Sequence, residues 1–199
     1  MRWTNTFPDL DPNNFSPAYY TRTLGVGFEV GEMSWVKAFP RVENLVLYLN
    51  CPNSHIGHSI TSFCTLVPSL KSLKLSVCCQ VSIPSSQVMG LVRSLPHLED
   101  LSLHGQSFDI SNQGADGPLT GLDHLTPPAL TGSLDVSCWP AKEWFPLLLD
   151  LPGGLHFTKL ALGYIQWDWE DSEHSLIGQL IAACSNTLEC LEIGPWYGN

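Results

Sequence analysis

Positive charge is scarce in this chain. Its 199 residues hold 9 Lys and Arg against 19 Asp and Glu, for a formal net charge of −10. Nucleic acid and anionic membrane surfaces require a basic footprint, so the balance argues against both as main partners. Long apolar runs are missing too. No stretch of about eighteen apolar residues occurs, so no helical membrane span is predicted. The N-terminal stretch Met1-Arg2-Trp3-Thr4-Asn5-Thr6-Phe7-Pro8-Asp9 lacks the apolar core of a signal peptide. The expectation is an intracellular protein, cytoplasmic or nuclear. Without a secretory signal the 7 cysteines read as reduced, mostly small core residues.

Catalytic motifs are equally sparse. There is no Gly-x-Ser-x-Gly elbow and no P-loop, and the 7 histidines are scattered without a Ser/Cys and carboxylate constellation. Cys51, His55, His58 and Cys64 have the right chemistry for zinc, but their spacing matches no closed site and reads better as a capped helix start. Gly25, Gly27 and Gly31 follow a strand pattern. However, Glu29 and Glu32 stand where a dinucleotide's phosphates would lie, and no long helix follows. The chain is expected to have no catalytic residue, no metal and no cofactor. A small metal-dependent hydrolase built on 105–128 and the His55/His58 region is kept as a competing reading. A truncated fragment without independent function is another.

Against these absences one phrase recurs. It appears as Pro40-Arg-Val-Glu-Asn-Leu-Val-Leu, Pro68-Ser-Leu-Lys-Ser-Leu-Lys-Leu and Pro96-His-Leu-Glu-Asp-Leu-Ser-Leu, with successive prolines 28 residues apart. A fixed period in the twenties marks a solenoid in which each repeat is one supersecondary unit. Extending the frame gives seven inward strand pairs: Leu24/Val26, Leu45/Leu47, Leu73/Leu75, Leu101/Leu103, Leu134/Val136, Leu160/Leu162 and Leu191/Ile193. The steps between first members are 21, 28, 28, 33, 26 and 31 residues. Alternation places both members of a pair on one sheet face.

Between strands the apolar period becomes helical. Ile56, Ile60, Phe63 and Val67 form one stripe. Val88, Leu91, Val92 and Leu95 form a second, with Ser85 or Ser86 placed to cap it. Leu176, Ile177, Leu180, Ile181 and Cys184 form a third, capped by Asp171 or Ser172. Trp144, Leu147, Leu148 and Leu151 have helical spacing interrupted by Pro146, which predicts a helix that is short or broken at Phe145. Residues 1–19 read as an irregular lead-in and 20–199 as one domain of about six to seven repeats, with an irregular excursion at 105–128. The alternation of strand and helix implies a parallel sheet with right-handed crossovers. No amphipathic cap follows the last strand, so a fragment, or ends covered by a partner, is the expectation.

The L-x-x-L-x-L frame and 28-residue period resemble the ribonuclease-inhibitor-like leucine-rich repeat. That implies an α/β horseshoe with a parallel sheet on the concave side and helices on the convex side. Asn50, Cys78 and Gln106 fall at its Asn/Cys position. Further phrases narrow the resemblance: Asn14-Phe-Ser-Pro-Ala-Tyr-Tyr-Thr-Arg-Thr-Leu24, Phe39-Pro-Arg-Val42, Leu151-Pro-Gly-Gly-Leu-His-Phe-Thr-Lys-Leu160 and Cys184-Ser-Asn-Thr-Leu-Glu-Cys-Leu191. They are similar to the fungal, mushroom-type F-box/leucine-rich-repeat-like proteins. The resemblance implies a non-catalytic protein-interaction scaffold whose repeats recognise substrates for a cullin ubiquitin ligase. It implies the Skp1 adaptor as a partner only where an F-box is present in a longer gene product. Residues 1–19 contain no Leu-Pro-x-Glu-Ile pattern and are too short for the three helices of an F-box.

In such a sheet the residues flanking the core pairs face the concave side. They form three columns, whose prominent members are Val46, Tyr48, Lys74, Asp100, His104 and Asp135. An aromatic with flanking charges suits a partner-binding patch. Trp167 and Trp169, beside Asp168, Glu170 and Asp171, are a second candidate, in a loop.

Overall fold

The computed structural model describes residues 17–28, 34–49, 67, 69–77, 85–105, 128–138, 144–163 and 171–194. Seven strands form one open sheet: β1 Thr23–Phe28, β2 Asn44–Leu49, β3 Ser72–Val77, β4 Asp100–Gly105, β5 Ser133–Cys138, β6 Lys159–Leu162 and β7 Cys190–Ile193. Every neighbouring pair is parallel, and the spatial order is the sequence order. The molecule is therefore α/β, in a solenoid-like arrangement in which each coil lies beside the next.

The register follows from the repeat. Leu24, Leu45, Leu73, Leu101, Leu134, Leu160 and Leu191 stand side by side across the sheet. Slipping any strand by one residue would turn its leucines to the other face, so burial of that face fixes the pairing. From Leu45 to Leu162 these pairs are buried, and the central ones (Leu73, Leu75, Leu101, Leu103) have no exposed surface. Each buried leucine contributes roughly 1.5–3 kcal/mol of transfer free energy. A further apolar column just ahead of the strands, Val42, Leu70, Leu98 and Phe157, is buried with them.

Backbone hydrogen bonds stitch the coils where the strands begin. The carbonyls of Arg22, Glu43, Lys71 and Thr158 each accept two successive N–H groups from the next coil, and so does that of Gly132. Glu43 and Asn44, for example, both donate to Arg22 O at 2.9 Å. Ser69 Oγ donates to Val42 O at 3.1 Å, and Thr187 Oγ1 donates to Phe157 O at 3.1 Å, the same bond in two different coils. On the outside of this seam the residue ahead of each strand alternates in sign through Arg22, Glu43, Lys71 and Glu99. Arg22 pairs with Glu43, and Lys71 with Glu99 at 3.5 Å. Such exposed pairs contribute at most about 1 kcal/mol each.

The step from β4 to β5 departs from this pattern. It follows the longest interval, and the chain arrives by a different route. Leu130 has φ of 43°, a left-handed conformation unusual for leucine, and is fully buried. Its N–H bonds Leu98 O, while that of Gly132 bonds Glu99 O. The next donor, Ser133 N, finds a side chain instead: Asp100 Oδ1 at 2.7 Å.

The helices among the described residues are α1 Pro17–Tyr20, α2 Ser85–Arg93, α3 Trp144–Leu149 and α4 Asp171–Cys184, with a 3-10 turn at Ser34–Ala38. One sequence expectation is corrected. The lead-in at 1–19 is not wholly irregular, since α1 begins at Pro17. The helix near Pro146 is short, as expected, and runs unbroken from Trp144 to Leu149. Pro146 is its third residue, where the first-turn N–H has no intrahelical acceptor in any case, so the ring is tolerated. The stripe of Val88, Leu91 and Val92 on α2, with Leu95 just past its end, is buried as the spacing requires. The expected helix stripe from Ile56 to Phe63, and the 106–127 part of the excursion, lie outside the described residues. No helix among the described residues is long and apolar enough to cross a membrane.

Candidate functional site

Because alternate side chains point to opposite faces, burying the leucines of β2–β5 presents Val46, Tyr48, Lys74, Asp100, His104 and Asp135 on the other face. All six are half-exposed or exposed, and Tyr48, at 48% exposure, is the most open large apolar side chain of this face. Tyr48 lies on β2 opposite Gly27, and a β-carbon at Gly25 would sit 3.8 Å from its Cε2. The ring thus leans over a strand whose residues 25 and 27 carry no side chain. Val46 and Lys74 are direct neighbours across β2 and β3. An apolar-aromatic strip therefore borders a cation.

The polar half of the face is ordered by side-chain bonds. His104 Nε2 lies 3.0 Å from Asp135 Oδ2, and Ser137 Oγ donates to Asp135 Oδ1 at 3.4 Å. The serine hydroxyl and the imidazole therefore share one carboxylate and do not bond each other. Asp100 turns its Oδ1 to the β5 strand start, accepting from both Ser133 N and Ser133 Oγ at 2.7 Å. Gly132 is part of that contact: a β-carbon there would lie 2.9 Å from Asp100 Cγ and closer still to Oδ1.

Further along, Lys159 Nζ meets Glu192 Oε1 at 2.6 Å. This hydrogen bond to Glu192 holds the lysine above its ordinary range. The pair is open to solvent and screened, so it orders the face more than it stabilises it. Beside it is a shallow depression of about 270 Å³ lined by Asp135, Ser137, Ala161, Gly163, Glu192 and Gly194. Among the described residues no group of three or more His, Cys, Asp or Glu side chains could hold a metal ion.

The face thus brings together the six residues chosen from the sequence columns and adds two that were not chosen. Lys159 and Glu192 occupy the same columns, and their opposite charges on adjacent strands were a readable signal. The Asp100 carboxylate that accepts twice from Ser133 had none, because the altered arrival at β5 is not periodic. Trp167 and Trp169 lie outside the described residues, as do Cys51, His55, His58 and Cys64, and Asn50, Cys78 and Gln106. Compared with known proteins, the chain matches no protein-family model, no curated protein and no solved structure.

Proposed function

We propose that this chain is a non-catalytic protein-interaction scaffold of the leucine-rich-repeat type that binds a protein partner on the open face of its sheet. One observation carries the reading: the leucine face is buried along the sheet from Leu45 to Leu162, while the opposite face presents Tyr48 and a set of half-exposed charges. Sheet faces of stacked repeats suit extended partners. An open tyrosine on β2, with Lys74 on the next strand and the His104–Asp135 pair beyond it on β4 and β5, offers an anchor beside a polar rim. The resemblance to F-box/leucine-rich-repeat proteins extends it to substrate recognition for a cullin ubiquitin ligase, with Skp1 as adaptor only where an F-box accompanies the repeats.

Site-specific photocrosslinking tests the face. A benzophenone amino acid is placed at Tyr48 in one protein and at Ala182, an exposed position on α4, in another. Irradiation in a lysate of the producing organism is expected to give discrete protein adducts at position 48 and none at position 182. The same adducts at both positions, or none at 48, would overturn the reading.

A further inference from the structure

The charges of the open face are settled by partners, with one exception. Asp100 Oδ1 accepts from the N–H and hydroxyl of Ser133. Asp135 holds His104 and Ser137, and Glu192 holds Lys159. The cations of the seam, Arg22 and Lys71, each hold a glutamate as well. The Lys74 ammonium alone among the charges of this face has no partner among the described residues, although its side chain is half-buried.

The register accounts for the exception. Lys74 lies on β3, inside the sheet, with Val46 directly across on β2 and Ser102 directly across on β4. Neither row neighbour is an acid. Asp100 is one strand away, opposite Ser72, but it is turned to β5. Asp135 is two strands away and engaged by His104. Around the ammonium the face carries Ser72 and Ser76 on the same strand and Ser102 on the next. The hydroxyls of these three serines also have no partner among the described residues. Each can donate to a bound anion.

We propose that Lys74 is the acid-recognising contact of the open face: the partner's extended segment presents one aspartate or glutamate to Lys74 and a neighbouring apolar side chain to Val46 and Tyr48. The proposal rests on the reading of this face as the binding surface and adds the partner's chemistry to it. Adjacent strands lie about 4.8 Å apart. Side chains one or two positions apart on an extended segment cover that span, so one segment reaches the lysine and the apolar strip together. Charge complementarity selects the acid. A basic segment would have to displace His104 from Asp135 or Lys159 from Glu192, whereas an acid displaces nothing. Such complementary charges govern which partner is accepted and in what register. Asp100 and Asp135 also limit the segment to a single acid, because a second would meet like charge.

A phage-displayed library of random linear peptides, panned on the full chain, supplies the probe. The enriched peptides are then synthesised with a fluorescent label. They are expected to share one Asp or Glu beside an apolar or aromatic residue. By fluorescence anisotropy they should bind Lys74→Gln roughly fivefold, and Lys74→Glu at least roughly tenfold, more weakly than wild type. Replacing the peptide's acid with lysine should restore binding to Lys74→Glu. Circular dichroism and the urea midpoint check that each variant folds. Lys74→Gln removes the charge without adding one, so it decides the matter if Lys74→Glu proves unfolded. Peptides that lose binding on Tyr48→Ala yet bind Lys74→Gln as well as wild type would overturn the inference and leave the open-face reading standing. Peptides indifferent to both variants, or no enrichment at all, would also overturn the inference, and the adducts at position 48 then decide the reading separately.

Discussion

Asp100 offers the sharpest separation of scaffold from binding surface, because it lies on the open face yet its carboxylate closes the seam between β4 and β5. In Asp100→Ala the Ser133 N–H and hydroxyl lose their acceptor, which receives both at 2.7 Å. A hydrogen bond to a charged group contributes about 1.5–3 kcal/mol net, and the half-exposed setting, where water can substitute, points to the lower end. The expected loss is therefore about 1.5 kcal/mol. For a chain of this size that corresponds to a fall in Tm of about 3–6 °C. Gly132→Ala attacks the same contact from the other side, since the new methyl group meets the carboxylate. Its loss should be of similar size. The two effects are not independent: of the three atoms nearest the new methyl group at 132, removing the Asp100 carboxylate leaves only Glu99 O, at 3.2 Å. Urea unfolding of the wild type, both single variants and the double variant forms a closed cycle, with an expected coupling of about 1 kcal/mol. Additive losses, or an Asp100→Ala variant as stable as wild type, would refute the reasoning.

Three further outcomes follow from burial. Leu103→Ala removes a fully buried side chain and should cost about 2–5 kcal/mol in chemical denaturation, whereas Leu191→Ala, at an exposed edge, should cost under about 1 kcal/mol. Tyr48→Ala should leave the urea midpoint within the scatter of surface substitutions, about 0.5 kcal/mol, because its ring is half in solvent. Burial holds the Cys184 thiol above its ordinary range, so in the folded protein it should resist alkylation that labels Cys190, as peptide mapping by mass spectrometry would show. The sign of the linked stability follows. Below the ordinary thiol range both states keep the proton and this contribution is intact. As pH rises through that range only the unfolded chain releases the proton, so stability falls.

The strands were legible because their signal is local and repeated. Alternating apolar pairs at a near-constant interval gave seven strands, and equal phase gave their register. What was not legible depends on how coils meet. The third-residue position of Pro146 in a helix is set by where α3 starts, which the spacing of Trp144, Leu147 and Leu148 leaves open. The left-handed Leu130 and the Asp100 acceptor arise where the longest interval enters the sheet off the regular path, so no periodic pattern announces them. On the open face, the columns placed Tyr48, Lys74, His104 and Asp135 together. Which polar groups would bond was hidden, because the His104–Asp135 and Lys159–Glu192 pairs run diagonally between strands and not along one row.

The central claim is that Tyr48, Lys74 and His104 on the open face are dispensable for folding and needed for binding. The most direct test combines Tyr48→Ala, Lys74→Ala and His104→Ala in one protein. Its urea midpoint and its retention of the partner crosslinked at position 48 are then measured together. The account requires an unfolding midpoint shifted by no more than about 1 kcal/mol, given the loss of the His104–Asp135 pair, and partner retention reduced at least tenfold. A folded variant that holds the partner as well as wild type would contradict it.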